Sequence, residues 1–222
     1  MNANRLLKPR ALAVALGAVF ALASGAANAV ETTYIGYSGG CFAISPATTC
    51  APPNTAALQT TTLDGLTYAN SNFDVTTAGG FVSIGASPGT PNIDNLGSFS
   101  LSNLPFVYDG QHFDLLVTFT APSGTSPSQG IFTDTLTGTV SATGGGVFID
   151  FNNTPQYFNF PMPAGGTGSF DFFVNDLSVT AGHSVAVTGS IMTITAVPEP
   201  ETYALLIAGL AAIGFMALRR KT

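Results

Sequence analysis

From Val30 to Ala196, about 167 residues, the chain has no lysine and no arginine. The six basic side chains all lie at positions 5, 8, 10 and 219–221. The same stretch carries Glu31 and nine Asp, so its formal charge is −10, against −6 for the whole chain. Such a region cannot bind nucleic acid by neutralising phosphates, which removes that partner class. Arginine forks for phosphate or carboxylate ligands are missing too. Anionic lipid and acidic polysaccharide would be repelled unless a divalent cation bridged the two surfaces. Stability must then rest on apolar burial, backbone hydrogen bonds and a cross-link.

Tryptophan is absent and histidine occurs only as His112 and His183. A catalytic Ser or Cys needs a base within hydrogen-bond reach, usually a His oriented by a carboxylate. Both His residues sit at turn sequences, Asp109-Gly110-Gln111-His112 and Gly182-His183, and are expected to be exposed. No nucleophile elbow and no metalloprotease motif occurs. Paired carboxylates suffice for a glycosidase, and Asp150, Asp171 and Asp176 lie on or beside expected strands. Sugar-cleaving sites normally add Trp platforms and basic groups, which this region lacks. No catalytic residue and no metal-ligand set is assigned, and a non-enzymatic protein is expected.

No segment of the acidic region has helical periodicity. Phe113, Leu115, Val117 and Phe119 alternate with Asp114, Leu116 and Thr118, which predicts a strand with one strongly buried face. Further strands are expected at 32–37, 66–68, 72–76, 81–84, 99–101, 147–151, 156–160, 170–174 and 191–195. Two Thr- or Val-rich strands, 133–140 and 184–188, are expected to be less buried. Gly79-Gly80, Ser87-Pro88-Gly89, Asp109-Gly110, Ser123-Gly124, Gly144-Gly145-Gly146 and Gly165-Gly166 read as breaks. Strands at this spacing with no helices predict an all-β fold, an antiparallel β-sandwich of jelly-roll-like form. A length of about 167 residues suits one domain.

The two ends differ from this domain. Arg5, Lys8 and Arg10 precede an apolar stretch, Ala11 to Ala23, and then Ala27-Asn28-Ala29. That order reads as a secretory signal peptide over residues 1–29. Cys41 and Cys50 would then sit in an oxidising compartment. They are the only cysteines, so a Cys41–Cys50 disulfide is the economical pairing. Two thiols without nearby His are too few for a metal site.

Beyond the domain, Val197-Pro198-Glu199-Pro200 leads into an uncharged, proline-free run from Tyr203 to Leu218, followed by Arg219, Arg220 and Lys221. As a helix these 16 residues would span roughly 24 Å. That is shorter than a bilayer core of roughly 30 Å, a mismatch that local thinning or snorkelling of the basic cluster absorbs. Cationic flanks resist translocation and would stay cytoplasmic. The order of these parts, residues 197–222, resembles the PEP-CTERM sorting signal of Gram-negative bacteria, with Tyr203 where many family members have Trp. The resemblance covers about an eighth of the chain and does not bear on the fold of the domain at 30–196. It implies a transient inner-membrane anchor through a transmembrane helix at 203–218. It also implies an exosortase as processing partner and delivery to the cell surface or extracellular matrix. Members of this family tend to accompany exopolysaccharide production, which points to a structural or adhesive role in a biofilm matrix.

Two binding modes are expected as alternatives to a purely structural role. Calcium takes six to eight oxygens, and Asn92-Ile93-Asp94-Asn95, Asn175-Asp176 and Asp109 lie in oxygen-rich loops. Without a defined calcium motif, the Asp residues read equally as a solvated surface, and no cofactor is assigned. Tyr34, Tyr37, Tyr68, Tyr108 and Tyr157 are candidates for stacking on sugar rings. A cluster of two or three of them, flanked by amides, would make the domain a carbohydrate-binding module for the exopolysaccharide.

Overall fold

The computed structural model describes residues 31–43, 50–85, 94–163, 166–194, 208–210 and 213. The signal segment 1–29, the motif Val197, Pro198, Glu199 and Pro200, and the cluster Arg219, Arg220 and Lys221 lie outside the described residues. Of the expected 203–218 span, residues 208–210 and 213 are described and are helical. Among the described residues no helix is long and apolar enough to cross a membrane.

The described residues otherwise build strands, in chain order β1 (Thr33–Ala43), β2 (Thr60–Leu63), β3 (Leu66–Ala69), β4 (Asn72–Thr76), β5 (Phe81–Ile84), β6 (Ser98–Leu101), β7 (Phe106–Val107), β8 (His112–Ala121), β9 (Gln129–Ser141), β10 (Gly144–Phe151), β11 (Gln156–Pro161), β12 (Thr167–Val174), β13 (Leu177–Thr180), β14 (Ser184–Ala186) and β15 (Gly189–Ile194). They pair antiparallel throughout. A seven-stranded sheet runs β13-β10-β9-β8-β1-β4, with β7 also paired to β9. Two four-stranded sheets run β11-β12-β15-β5 and β14-β6-β3-β2. The all-β, sandwich-like expectation holds. The successive strands β8, β9 and β10 lie side by side as a meander.

One apolar cluster joins the three sheets. From β8 of the large sheet, Phe119 contacts Phe158, Phe170 and Phe172 of one small sheet, and Phe113 contacts Tyr68 and Phe99 of the other. The aromatic pairs are mostly edge-to-face, the arrangement that ring quadrupoles favour.

Three local expectations change. The 133–140 strand is longer, and its inward residues Phe132, Leu136 and Val140 are fully part of the core. Its exposed threonines alternate with these, so only half of the segment is polar to solvent. Gly144-Gly145-Gly146 is not a break but the start of β10, paired with Thr139 to Ser141. Gly145 has φ +133°, and a Cβ there would strike the Thr139 carbonyl, so glycine lets the hairpin strands approach. Finally, β8 is buried on both faces. Asp114, Leu116 and Thr118 are 9, 5 and 6% exposed, which period-two alternation does not predict.

Candidate functional site

The second covering of β8 is a strap made by residues 50–58. Ser38-Gly39-Gly40 on neighbouring β1 leaves room for it: a Cβ on Gly39 would collide with the Pro53 carbonyl oxygen. Cys41 and Cys50 form the expected disulfide, with Cα atoms 6.0 Å apart, and it ties one end of the strap to β1. Buried Asn70 pins the other end. Its Oδ1 accepts from Gln59 N–H at 2.6 Å, and its Nδ2 donates to the carbonyls of Ser38 and Ala57 at 3.2 and 3.0 Å. In the middle, Asn54 Oδ1 accepts from the Tyr37 hydroxyl at 2.8 Å and from Thr118 Oγ1 at 3.1 Å.

Asp114 Oδ2 lies 3.5 Å from Cys50 Sγ. A disulfide sulfur has no proton to donate, so this is a contact and not a hydrogen bond. The ligand atoms of Cys41, Cys50 and Asp114 lie within 4.8 Å of one another, but joined sulfurs present no thiolate to a metal. The double variant Cys41→Ser/Cys50→Ser is expected to lose about 2.5–3 kcal/mol of stability, the chain-entropy value for so short a loop. Urea unfolding of oxidised protein and variant measures the difference.

The strap walls off a groove of about 460 Å³ on the outer face of β1 and β4. Ile35, Tyr37, Ala56, Asn72, Asp74 and Asp94 line it, with Gly36 as floor. The register explains the grouping, since Tyr37 pairs with Asn72 and Ile35 with Asp74. These four side chains therefore share one face. Asp94 reaches the groove from a loop, where it holds φ +54° and accepts from Asp74 N–H at 3.1 Å. Asp is one of the few residues that tolerates that backbone conformation.

A different carboxyl is buried in the core. Asp134 points inward from β9, 2% exposed, between Phe113 of β8 and Phe151 of β10. Its Oδ1 accepts from Phe113 N–H at 2.8 Å, while Oδ2 has no partner among the described residues. Burial pushes its carboxyl up to about 8; the Phe113 N–H works against this and the charges of Asp114 and Asp150 add to it. The expectation that the Asp residues form a solvated surface fails for Asp134 and Asp114. Nothing in the composition marks the two, because each sits in an ordinary alternating strand.

The other residues singled out from sequence separate. Tyr34, Tyr68 and Tyr108 are core residues, not sugar platforms. Their hydroxyls bond to Thr193 Oγ1, the Leu96 carbonyl and the Asp64 carbonyl, and burial raises the pKa of each. Tyr37 lies in the groove. Tyr157 is 52% exposed on another sheet, in a row with Asp171, Met192 and Phe81 across β11, β12, β15 and β5. His183 is exposed in a turn as expected, but His112 opens β8, is half-buried and donates from Nδ1 to the Asp134 carbonyl at 2.8 Å. Of the groups proposed for calcium, Asn92 and Ile93 lie outside the described residues and Asp94 lines the groove, while the others take hydrogen bonds within the fold. Asp109 Oδ1 accepts from Gly138 N–H, and Asn95 Oδ1 accepts from Gly97 N–H. Asp176 accepts from Phe151 N–H and Asn153 Nδ2. Asp150 and Asp171 belong to different sheets.

No curated protein and no solved structure matches the chain. The family model of the PEP-CTERM protein-sorting motif matches residues 196–221. The matched span includes Val197 to Pro200 and Arg219 to Lys221. The motif implies export, processing by an exosortase and sorting to the cell surface. By that motif the chain is a PEP-CTERM domain-containing protein.

Proposed function

We propose that the protein is a non-enzymatic structural or adhesive component of the cell surface or extracellular matrix, working in association with exopolysaccharide. The observation that carries this is the sorting motif at 196–221 attached to a cation-free β-domain. The motif supplies the route, and the domain supplies a disulfide-tied, acidic body suited to an extracellular setting. The run 203–218 holds the protein transiently in the inner membrane, and removal of the signal segment 1–29 and of the tail releases the domain at 30–196. A formal charge of −10 then keeps the domain off anionic lipid once the tail is gone. Absence of a catalytic role is supported by the engagement of Asp176, His112 and Asp109 in the fold's own hydrogen bonds.

Cell fractionation with mass spectrometry of both termini tests this. Material from the medium or surface fraction is expected to begin near Val30, to lack residues 203–222 and to keep Cys41 joined to Cys50. Recovery of the full polypeptide solely from the cytoplasmic membrane sinks it.

A second reading, a carbohydrate-binding module, is favoured by one observation. The groove beside the strap combines an aromatic ring, an apolar side chain, an amide and carboxylates, the mixture that sugar rings and their hydroxyls require.

A further inference from the structure

We propose that the groove between the strap and β4 binds a glycan bearing free amino groups, an inference that rests on the exopolysaccharide association proposed above. Charge decides the class. Asp74 and Asp94 face the same groove, and no Lys or Arg exists between Val30 and Ala196 to neutralise them. The Asp74 carboxylate is exposed and has no hydrogen-bond partner among the described residues, while one Asp94 oxygen is held by Asp74 N–H. Two carboxylates with free lone pairs call for an ammonium donor. An acidic glycan would be repelled by the same pair, and a neutral one would leave both charges unanswered.

The rest of the lining fits a pyranose. Ile35 is 39% exposed at the groove and offers an apolar patch. Tyr37 adds a ring whose hydroxyl is fixed by Asn54 of the strap, so its orientation is set before any ligand arrives. Asn72 and Thr120 are both exposed on this face; the Asn72 amide can donate to sugar oxygens, while Thr120 Oγ1, which donates its proton to the Ile35 carbonyl, can accept from a sugar hydroxyl. At about 460 Å³ the groove has the size of a small-ligand site, room for one or two sugar rings. Chain ends of a longer polymer can leave through its open side along the sheet edge at β4.

The test is calorimetric titration of the full chain, purified in detergent, with three probes: glucosamine, N-acetylglucosamine and glucose oligomers of equal length. Glucosamine oligomers are expected to bind at least about tenfold more tightly than the other two. The double variant Asp74→Asn/Asp94→Asn should lose that preference. The amide oxygen introduced at position 94 can still accept from the backbone N–H of residue 74, and Asn tolerates φ +54° as Asp does, so the thermal midpoint should match the parent. Tyr37→Phe serves as a second variant, expected to weaken glucosamine binding without removing the amine preference. Equal binding of all three probes, unaltered by Asp74→Asn/Asp94→Asn, overturns the amine assignment while leaving the exopolysaccharide association standing. No binding of any probe by a well-folded chain overturns the groove as a glycan site. The association itself fails separately, if enzymatic removal of polysaccharide leaves the protein on the cell surface.

Discussion

Asp134→Asn stabilises the protein at pH 8, by on the order of 2–4 kcal/mol, and costs about 1–3 kcal/mol at pH 3.5, where both states are protonated and only the unpaired amide N–H groups count. The carboxyl is held up at about 8 in the native core, against an ordinary 3.8. Between those values the unfolded chain releases a proton that the folded one retains. Native stability therefore falls as pH rises through this window, is complete below the unfolded value, and levels off above the native one. The full shift would correspond to more, at about 1.4 kcal/mol for each pH decade. The gain is smaller because an Asn side chain brings two N–H groups into a site that shows a single unpartnered atom, Oδ2. Its Oδ1 still accepts from Phe113 N–H. Chemical unfolding of parent and variant at pH 3.5, 6 and 8.5 measures this. A difference that is constant with pH, or that favours the variant more in acid than at pH 8.5, removes the burial argument. The cause is specific to this position: Asp114 and Asp150 are turned to the opposite face of the same sheet, where Asp150 meets solvent and Asp114 meets the strap.

Phe119→Ala costs about 3–5 kcal/mol, the range for removing a buried aromatic from a core that does not collapse around it. Phe119 is 4% exposed and stands where both layers meet. Its ring centroid lies 5.7 Å from Phe73, 5.0 Å from Phe158 and Phe170, and 5.4 Å from Phe172. Four rings leave little freedom to close a void, because Phe158 and Phe170 are already stacked on each other at 4.9 Å. Phe81→Ala is the internal control. Phe81 is 47% exposed on the outer face of its sheet, and its loss should stay under about 1 kcal/mol. Urea unfolding of both variants gives the comparison, and near-equal losses would mean that the layers are not held through Phe119.

Much of the scaffold was legible in residue order. Asn72–Thr76 and Phe81–Ile84 are strands with the bounds their alternation predicts. Three strands escaped. They are Thr60–Leu63, in which Leu63 is the one apolar residue, Leu177–Thr180, and Phe106–Val107, which at two residues is too short for a period to declare itself. The candidate groove was barely legible. Tyr37 and Asp94 each drew notice, but as a lone aromatic and as part of a calcium loop. Their meeting depends on a strand pair 35 to 40 positions apart in sequence and on a strap that no periodicity announces.

The export route, the lack of cations and the β-rich class all follow from residue order alone, because signals for sorting are read linearly and charge is a matter of composition. The Cys41–Cys50 pairing belongs with them, since two cysteines admit one partner choice. Long-range packing alone settled the rest: which Asp is sealed inside, which Tyr faces water, and that the outer side of β8 is covered. Alternation marks the side of a strand on which a residue lies. It carries no information about what distant segment comes to lie on that side, and burial, with the protonation and binding chemistry that depend on it, is set by that covering segment.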